Sequence, residues 1–303
     1  MQFFKYVICA LAIMPLQASE IGGSLSIVYN LRLSETSKRL DTESILPKPS
    51  LATCTLISSF RKQYNGVTFN DTGGLLTLMY SPESFFLRVD AAVAHLTSDD
   101  HGIHSARTQG DDLLFSAGYS PKTSEKMRFT YSGLVGLPLH KDRSLEQIQL
   151  GYGHYGLGGQ MDGSFVLAGN EHYKMHCAVR GIHFFPRSVV GELNNHERCF
   201  DYNFGNVVDL LIAFQRKKKP HGIEIGYNPE FSFSAFIHPN LDDVVTQTNY
   251  ILNSFYSAYD YSFKIRNTVN IVAAAFSFGF DASPKIYGYK RAISVWGSWS
   301  VNF

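Results

Sequence analysis

Along most of this chain apolar side chains recur at every second position. Residues 222–235 show it most cleanly. Ile223, Ile225, Tyr227, Pro229, Phe231, Phe233 and Ala235 alternate with Gly222, Glu224, Gly226, Asn228, Glu230, Ser232 and Ser234. Successive side chains of a strand point to opposite faces, so this pattern gives one apolar face and one polar face. A helix would scatter the same residues around its circumference. The alternation repeats over 24–33, 85–94, 127–137, 172–185 and 254–266. It appears more weakly over 74–81, 111–120, 145–156, 204–216, 268–282 and 288–303. Those segments predict twelve strands. Residues 51–60 and 161–169 are ambiguous and would raise the number to fourteen. The fold class expected is all-β, an antiparallel up-and-down transmembrane barrel.

Two features separate this pattern from a soluble sandwich. Many runs reach 10–15 residues, longer than the usual strand of about 5–6. The charges also keep to the polar face, as a lipid-facing wall demands, since Arg or Lys toward lipid costs about 2–4 kcal/mol at the midplane. Composition agrees: 45% hydrophobic, 14% aromatic and only 17% charged, against about 25% charge in ordinary globular chains. Past the N-terminal region no stretch approaches 18 consecutive apolar residues, which excludes helical spans. At the N-terminus, Lys5 precedes the short apolar run Tyr6–Met14, and Pro15–Ala18 supplies a cleavage site before Ser19. Residues 1–18 therefore read as a signal peptide, and 19–303 as one barrel domain. The formal net charge of +1 and the single basic run Arg216–Lys219, read as a solvated turn, argue against a nucleic-acid partner.

The last strand carries a more specific signal. Ile293, Val295, Gly297, Trp299, Val301 and Phe303 share one face, and the chain ends on Phe303. This resembles the closing strand of Gram-negative outer-membrane β-barrel proteins. The resemblance implies outer-membrane localisation, the lipid bilayer as environment, and recognition by the barrel-assembly machinery through Val295, Trp299, Val301 and Phe303. It also implies that the last strand ends in the periplasm. Counting back from there with twelve strands puts the periplasmic connections at 82–84, 121–126, 156–171, 217–221 and 266–267. The external loops become 34–73, 95–110, 138–144, 186–203, 236–249 and 283–287. Short periplasmic turns and longer external loops are the barrel rule, which favours twelve strands over fourteen. The long 34–73 segment, with Pro47 and Pro49, exceeds an ordinary connection and is a candidate constriction.

If the aromatic face meets lipid, the opposite face lines the lumen with Arg32, Arg88, Arg128, Lys174, Arg180, Lys264 and Arg266. Asp90, Asp209, Glu224, Glu230 and Asp260 join them. The expected function is a channel for passive passage of small hydrophilic or amphipathic solutes, working as a monomer. Two alternatives stay open: a structural or adhesion barrel whose lumen is plugged by ion pairs such as Glu224 with Lys264, and a lipid-modifying enzyme. For the enzyme, His183 and His154 are candidates, but no nucleophile motif accompanies them. No cofactor and no metal are expected. His172 and His176 share a face, yet i and i+4 on a strand stand about 13 Å apart, and His101 and His104 read as solvated loop residues. Of the cysteines left after processing, Cys54 and Cys199 fit a bond between external loops, while Cys177 falls mid-strand on the lipid side.

Overall fold

The computed structural model describes residues 51–63, 66–81, 84–110, 112–121, 126–139, 154–167, 172–193, 196–237, 245–247, 250–281 and 289–302. Arg32, Phe303, the signal peptide and most of the 34–73 segment before Leu51 lie outside them. The described residues form fifteen antiparallel strands: β1 (Leu51–Gln63), β2 (Thr68–Tyr80), β3 (Phe85–Asp100), β4 (Ile103–Gly110), β5 (Leu113–Tyr119), β6 (Met127–Leu137), β7 (Gly156–Val166), β8 (Tyr173–Phe184), β9 (Arg187–Leu193), β10 (His196–Lys218), β11 (His221–Ile237), β12 (Val245–Gln247), β13 (Tyr250–Ile265), β14 (Thr268–Asp281) and β15 (Tyr289–Asn302).

Twelve of them close into a ring, in the order β1-β2-β3-β5-β6-β7-β8-β10-β11-β13-β14-β15 and back to β1. The closure runs the full height of the seam, from Leu51 opposite Asn302 to Gln63 opposite Tyr289. Closing the ring pairs both edges of every wall strand, which removes the exposed edges that lipid cannot solvate. The other three strands are additions to hairpins. β4 pairs β3, β9 pairs β10 and β12 pairs β11. At the β3–β4 turn, His101 and Gly102 both take positive φ (52° and 93°), as a tight two-residue hairpin requires.

The twelve-strand architecture expected from the sequence is present, but its membership differs in two places. Residues 51–63 and 68–80 are wall strands, so the expected 34–73 external loop is replaced by the short connection 64–67 between β1 and β2. The ring closes through β1; residues 24–33, expected as a strand, lie outside the described residues. The glycine-rich 156–166 stretch is β7 rather than a periplasmic connection, and the turn that follows it is 167–172. Gly156, Gly158, Gly159 and Gly163 hid this strand, because they give no side-chain contrast between faces. The run 95–110 is strand as well, in β3 and β4. One end of the barrel carries the tight connections 81–84, 120–126, 167–172, 219–220 and 266–267 together with Asn302; the loops gather at the other. These are called the turn end and the loop end below.

The two faces of the wall are as different as the sequence requires. Outward lie Phe85, Leu87, Leu157 and Ile225, exposed by 63%, 59%, 56% and 56%. The outer surface is therefore an apolar band that only lipid satisfies. Aromatic pairs stud it near the turn end, as in Phe85 with Tyr119 (5.0 Å between centroids) and Phe129 with Phe165 (5.6 Å, edge-on). Val295 and Trp299 of the closing strand are on this outer face too, and Trp299 donates through Nε1 to Asn270 at 3.1 Å.

Candidate functional site

The inward side chains converge on the lumen, and at mid-height they fill it. Thr55, Leu96, Arg88 and Glu230 are exposed by no more than 1%. Three arginine–aspartate pairs organise the polar part. On β3, two positions apart and thus on one face, Arg88 holds Asp90 through Nε–Oδ2 (2.8 Å) and Nη2–Oδ1 (2.9 Å), and Thr77 of β2 donates to the same carboxylate. On β8, Arg180 stands in register with Asp209 of β10 and donates to its Oδ2 from both Nε (2.7 Å) and Nη2. Nearer the loop end, Arg61 of β1 faces Asp71 of β2 at 3.5 Å, and Ser59 donates to that carboxylate. Two-point guanidinium–carboxylate contacts are the strong form of this interaction. Buried charge without such a partner would cost several kcal/mol.

A row of polar residues crosses four strands in direct register: Gln160 (β7), Arg180 (β8), Asp209 (β10) and Glu230 (β11). Beside it, Asp162 accepts from Gln160 Nε2 at 2.8 Å and lies within electrostatic reach of both Arg88 and Arg180. That reach matters, because Arg88 and Asp162 come from strands with β5 and β6 between them. The charges therefore share one interior volume rather than separate stretches of wall.

Below this row, toward the turn end, a second group surrounds Glu224. Gln215 Nε2 donates to its Oε2 (3.2 Å), Tyr256 Oη donates to its Oε1 (2.7 Å), and His176 Nε2 stands 3.9 Å from Oε2. Gly226 makes room for it. A Cβ there would stand 2.4 Å from the Tyr256 ring, so only glycine lets that ring lie flat across the wall. Tyr256 also tilts against Trp296 of β15, with centroids 6.4 Å apart. Lys217 and Asp260 form a pair at 3.1 Å nearer the turn end.

Apolar side chains occupy the rest of the interior. One cluster joins Ile57, Leu75 and Leu96 on β1–β3 to Trp296 on the neighbouring β15, Tyr256 on β13 and Leu211 across the ring on β10. A second joins Met79 and Phe86 to Leu134, Ile182 and Phe184. The described interior is thus amphipathic, with apolar clusters beside paired charges.

Of the lumen residues expected from the sequence, the structure brings Arg88, Asp90, Arg180, Asp209, Glu224, Glu230 and Asp260 together in the buried interior. Lys174 is half-buried near the turn end of β8, and Arg128 and Lys264 are exposed at that rim. Arg266 is a correction. It sits in the Arg266–Asn267 turn with φ of 52° and exposed, past the wall. Glu224 does not face Lys264; its register partner is Ala258. The run Arg216–Lys219 is not a free turn either, because Lys217 points inward to Asp260 and Arg216 lies 6.0 Å over the Tyr173 ring.

Sequence reasoning passed over Arg61, Asp71, Gln160, Asp162, Gln215 and Tyr256. Asp162 was lost with the misread glycine-rich strand, and Arg61 and Asp71 with the misread loop. His176 faces inward, whereas His172 lies in a turn with Nδ1 3.1 Å from Lys217 O. His183 is on the outer wall beside Asn206 (3.0 Å), and His154 contacts Phe185 O (2.8 Å). Cys54 is in β1 opposite Trp299, close to the turn end. Cys199 lies in the β9–β10 hairpin at the loop end, so a bond between external loops does not arise.

No protein-family model and no curated protein matches the sequence. Solved structures do match the fold. An outer-membrane channel from Pseudomonas putida F1 superimposes with a TM-score of 0.67 at 11% identity, over 87% of this chain and 99% of that one. The transport unit of the autotransporter AIDA-I from Escherichia coli gives 0.51 at 13% identity, over 94% and 98% of the two chains. The monoaromatic hydrocarbon channel CymD gives 0.50 at 11% identity, over 94% of each. At these identities the likeness concerns the backbone alone, and it agrees with the ring derived above: the chain has the closed antiparallel fold of outer-membrane β-barrels.

Proposed function

We propose that this protein is an outer-membrane channel for passive passage of small amphipathic solutes. The observation that carries the reading is the lumen itself, where arginine–aspartate pairs and apolar clusters share the interior of a closed barrel. A solute with polar and apolar parts exchanges contacts with both along such a path, whereas a purely hydrophilic solute meets apolar clusters it cannot bond to. The closing-strand residues Val295, Trp299 and Val301, with Phe303 in the sequence after them, serve delivery by the barrel-assembly machinery, and the barrel works as a monomer. The turn end faces the periplasm, which places the β3–β4 and β9–β10 hairpins outside the cell. No step of this function calls for a cofactor or a catalytic group.

Reconstitution in planar bilayers tests it. Stepwise conductance with small unit steps is the expected result; a current trace indistinguishable from protein-free bilayers overturns the reading. The depth of burial at mid-height favours a second reading, a structural barrel closed by its own side chains. That barrel would insert and fold normally yet give neither conductance nor solute-dependent swelling of proteoliposomes.

A further inference from the structure

Where the apolar band of the outer wall ends at the turn end, neighbouring strands place cations among aromatic rings. Two rows of outward side chains lie in direct register. Tyr173 (β8), Arg216 (β10), Ile223 (β11) and Tyr259 (β13) make the first. Lys218 (β10), His221 (β11) and Tyr261 (β13) make the second, nearer the turns. All of them are exposed. The rings hold the basic groups in place. The Arg216 guanidinium carbon stands 6.0 Å from the Tyr173 centroid, within cation–π range. His221 Nδ1 and Tyr259 Oη are hydrogen-bonded at 2.6 Å, and the His221 ring packs 5.4 Å from that of Tyr261. Two residues up the wall from Arg216, Phe214 faces Ile225, and both are exposed on the lipid side. That step is about 7 Å, so Arg216 stands at the border between hydrocarbon and headgroups. An arginine there lays its stem along apolar surface and sends its head to the polar side. Tyrosine is enriched at the same level. The carboxylates Asp209, Glu224 and Asp260 of these strands face inward and are buried. The anion at that depth of a bilayer is phosphate, which a guanidinium meets at two points.

We infer that this rim binds the phosphodiester of an anionic phospholipid in the leaflet at the turn end. The inference needs only the lipid-facing wall, so it stands apart from the channel reading. Arg216 takes the phosphate oxygens through paired N–H donors, and Lys218 adds a point charge from the next row. The Tyr261 hydroxyl donates to an ester oxygen, and the acyl chains lie along Phe214 and Ile225. A zwitterionic lipid brings its own ammonium toward Arg216 and Lys218, and that repulsion weakens it relative to an anionic lipid with the same chains.

The test is native mass spectrometry of the detergent-purified barrel, titrated with phosphatidylglycerol or with phosphatidylcholine of the same acyl chains. The wild type is expected to hold phosphatidylglycerol roughly tenfold more tightly, since each cation near an anionic lipid contributes about fivefold. Arg216→Gln with Lys218→Gln should bring the ratio near one. Arg216→Gln alone should lower it severalfold, and it carries the test should the double variant fail to assemble. Arg291 is exposed near the loop end, 5.5 Å over the Phe60 ring, and Arg291→Gln should leave the ratio unchanged. Equal affinity of the wild type for the two lipids overturns the inference. So does a ratio that the Arg216 variants do not move, or one that Arg291→Gln lowers as far as Arg216→Gln does. Conductance, present or absent, bears on the channel alone.

Discussion

The chain has two tryptophans, three residues apart on one strand, and they live in different media. Trp299 is 39% exposed on the outer wall with its Nε1 on Asn270, whereas Trp296 is 6% exposed and packed against Tyr256 in the lumen. The contrast runs through the whole barrel. The outer face is chemically uniform, and its side chains need only be apolar. The inner face is specific: each buried arginine among the described residues has its own aspartate, and Tyr256 needs both Glu224 to bond and Gly226 to lie against. Lipid is a solvent that accepts any apolar shape, while a filled interior of buried charge tolerates only matched partners.

The inner face should break hardest. Arg180→Ala leaves Asp209 buried without its guanidinium, and an expected loss of about 3–5 kcal/mol should appear in urea unfolding from phospholipid vesicles. Arg180→Met combined with Asp209→Leu should recover most of that loss, since an apolar pair of similar volume replaces the charges; a double variant as weak as the single one would show that Arg180 works through other contacts. On the outer face, Ile225→Arg should cost about 2–4 kcal/mol by the depth of the site in the bilayer, and Ile225→Leu next to nothing. Equal stability of Ile225→Arg and wild type in the same unfolding assay would mean that this position is not in lipid. The smallest perturbation tests orientation alone. Brominated lipid should quench the fluorescence of Trp296→Phe, which retains Trp299, strongly, and that of Trp299→Phe weakly. The reverse ranking would turn the closing strand inside out.

How far the sequence could be read depended on side-chain contrast. Strands β3, β6, β8, β11 and β13 alternate large apolar and polar residues and were legible from period alone, as were the lumen positions Arg88, Arg180, Glu224 and Glu230. Strand β7 was not, because its glycines erase the contrast, and Asp162 disappeared with it. Strands β1 and β2 read weakly because their inward residues include Ile57, Leu75 and Met79, buried apolar side chains where a water-filled lumen would have polar ones. A filled interior blurs the alternation that an aqueous pore would sharpen.

By itself the sequence determined that the chain forms long antiparallel strands with a lipid face, the last of them near the C-terminus. Period two and the expense of charge in lipid are local rules, and each strand obeys them alone. Only the tertiary structure decided which twelve segments make the ring, that Leu51–Gln63 meets the last strand, and which charges share the interior. Those outcomes depend on register and curvature around the whole barrel, which bring Arg88 and Asp162 from distant strands into one volume. No single strand carries that information, because a charge acts through its distance to others in space rather than its spacing along the chain.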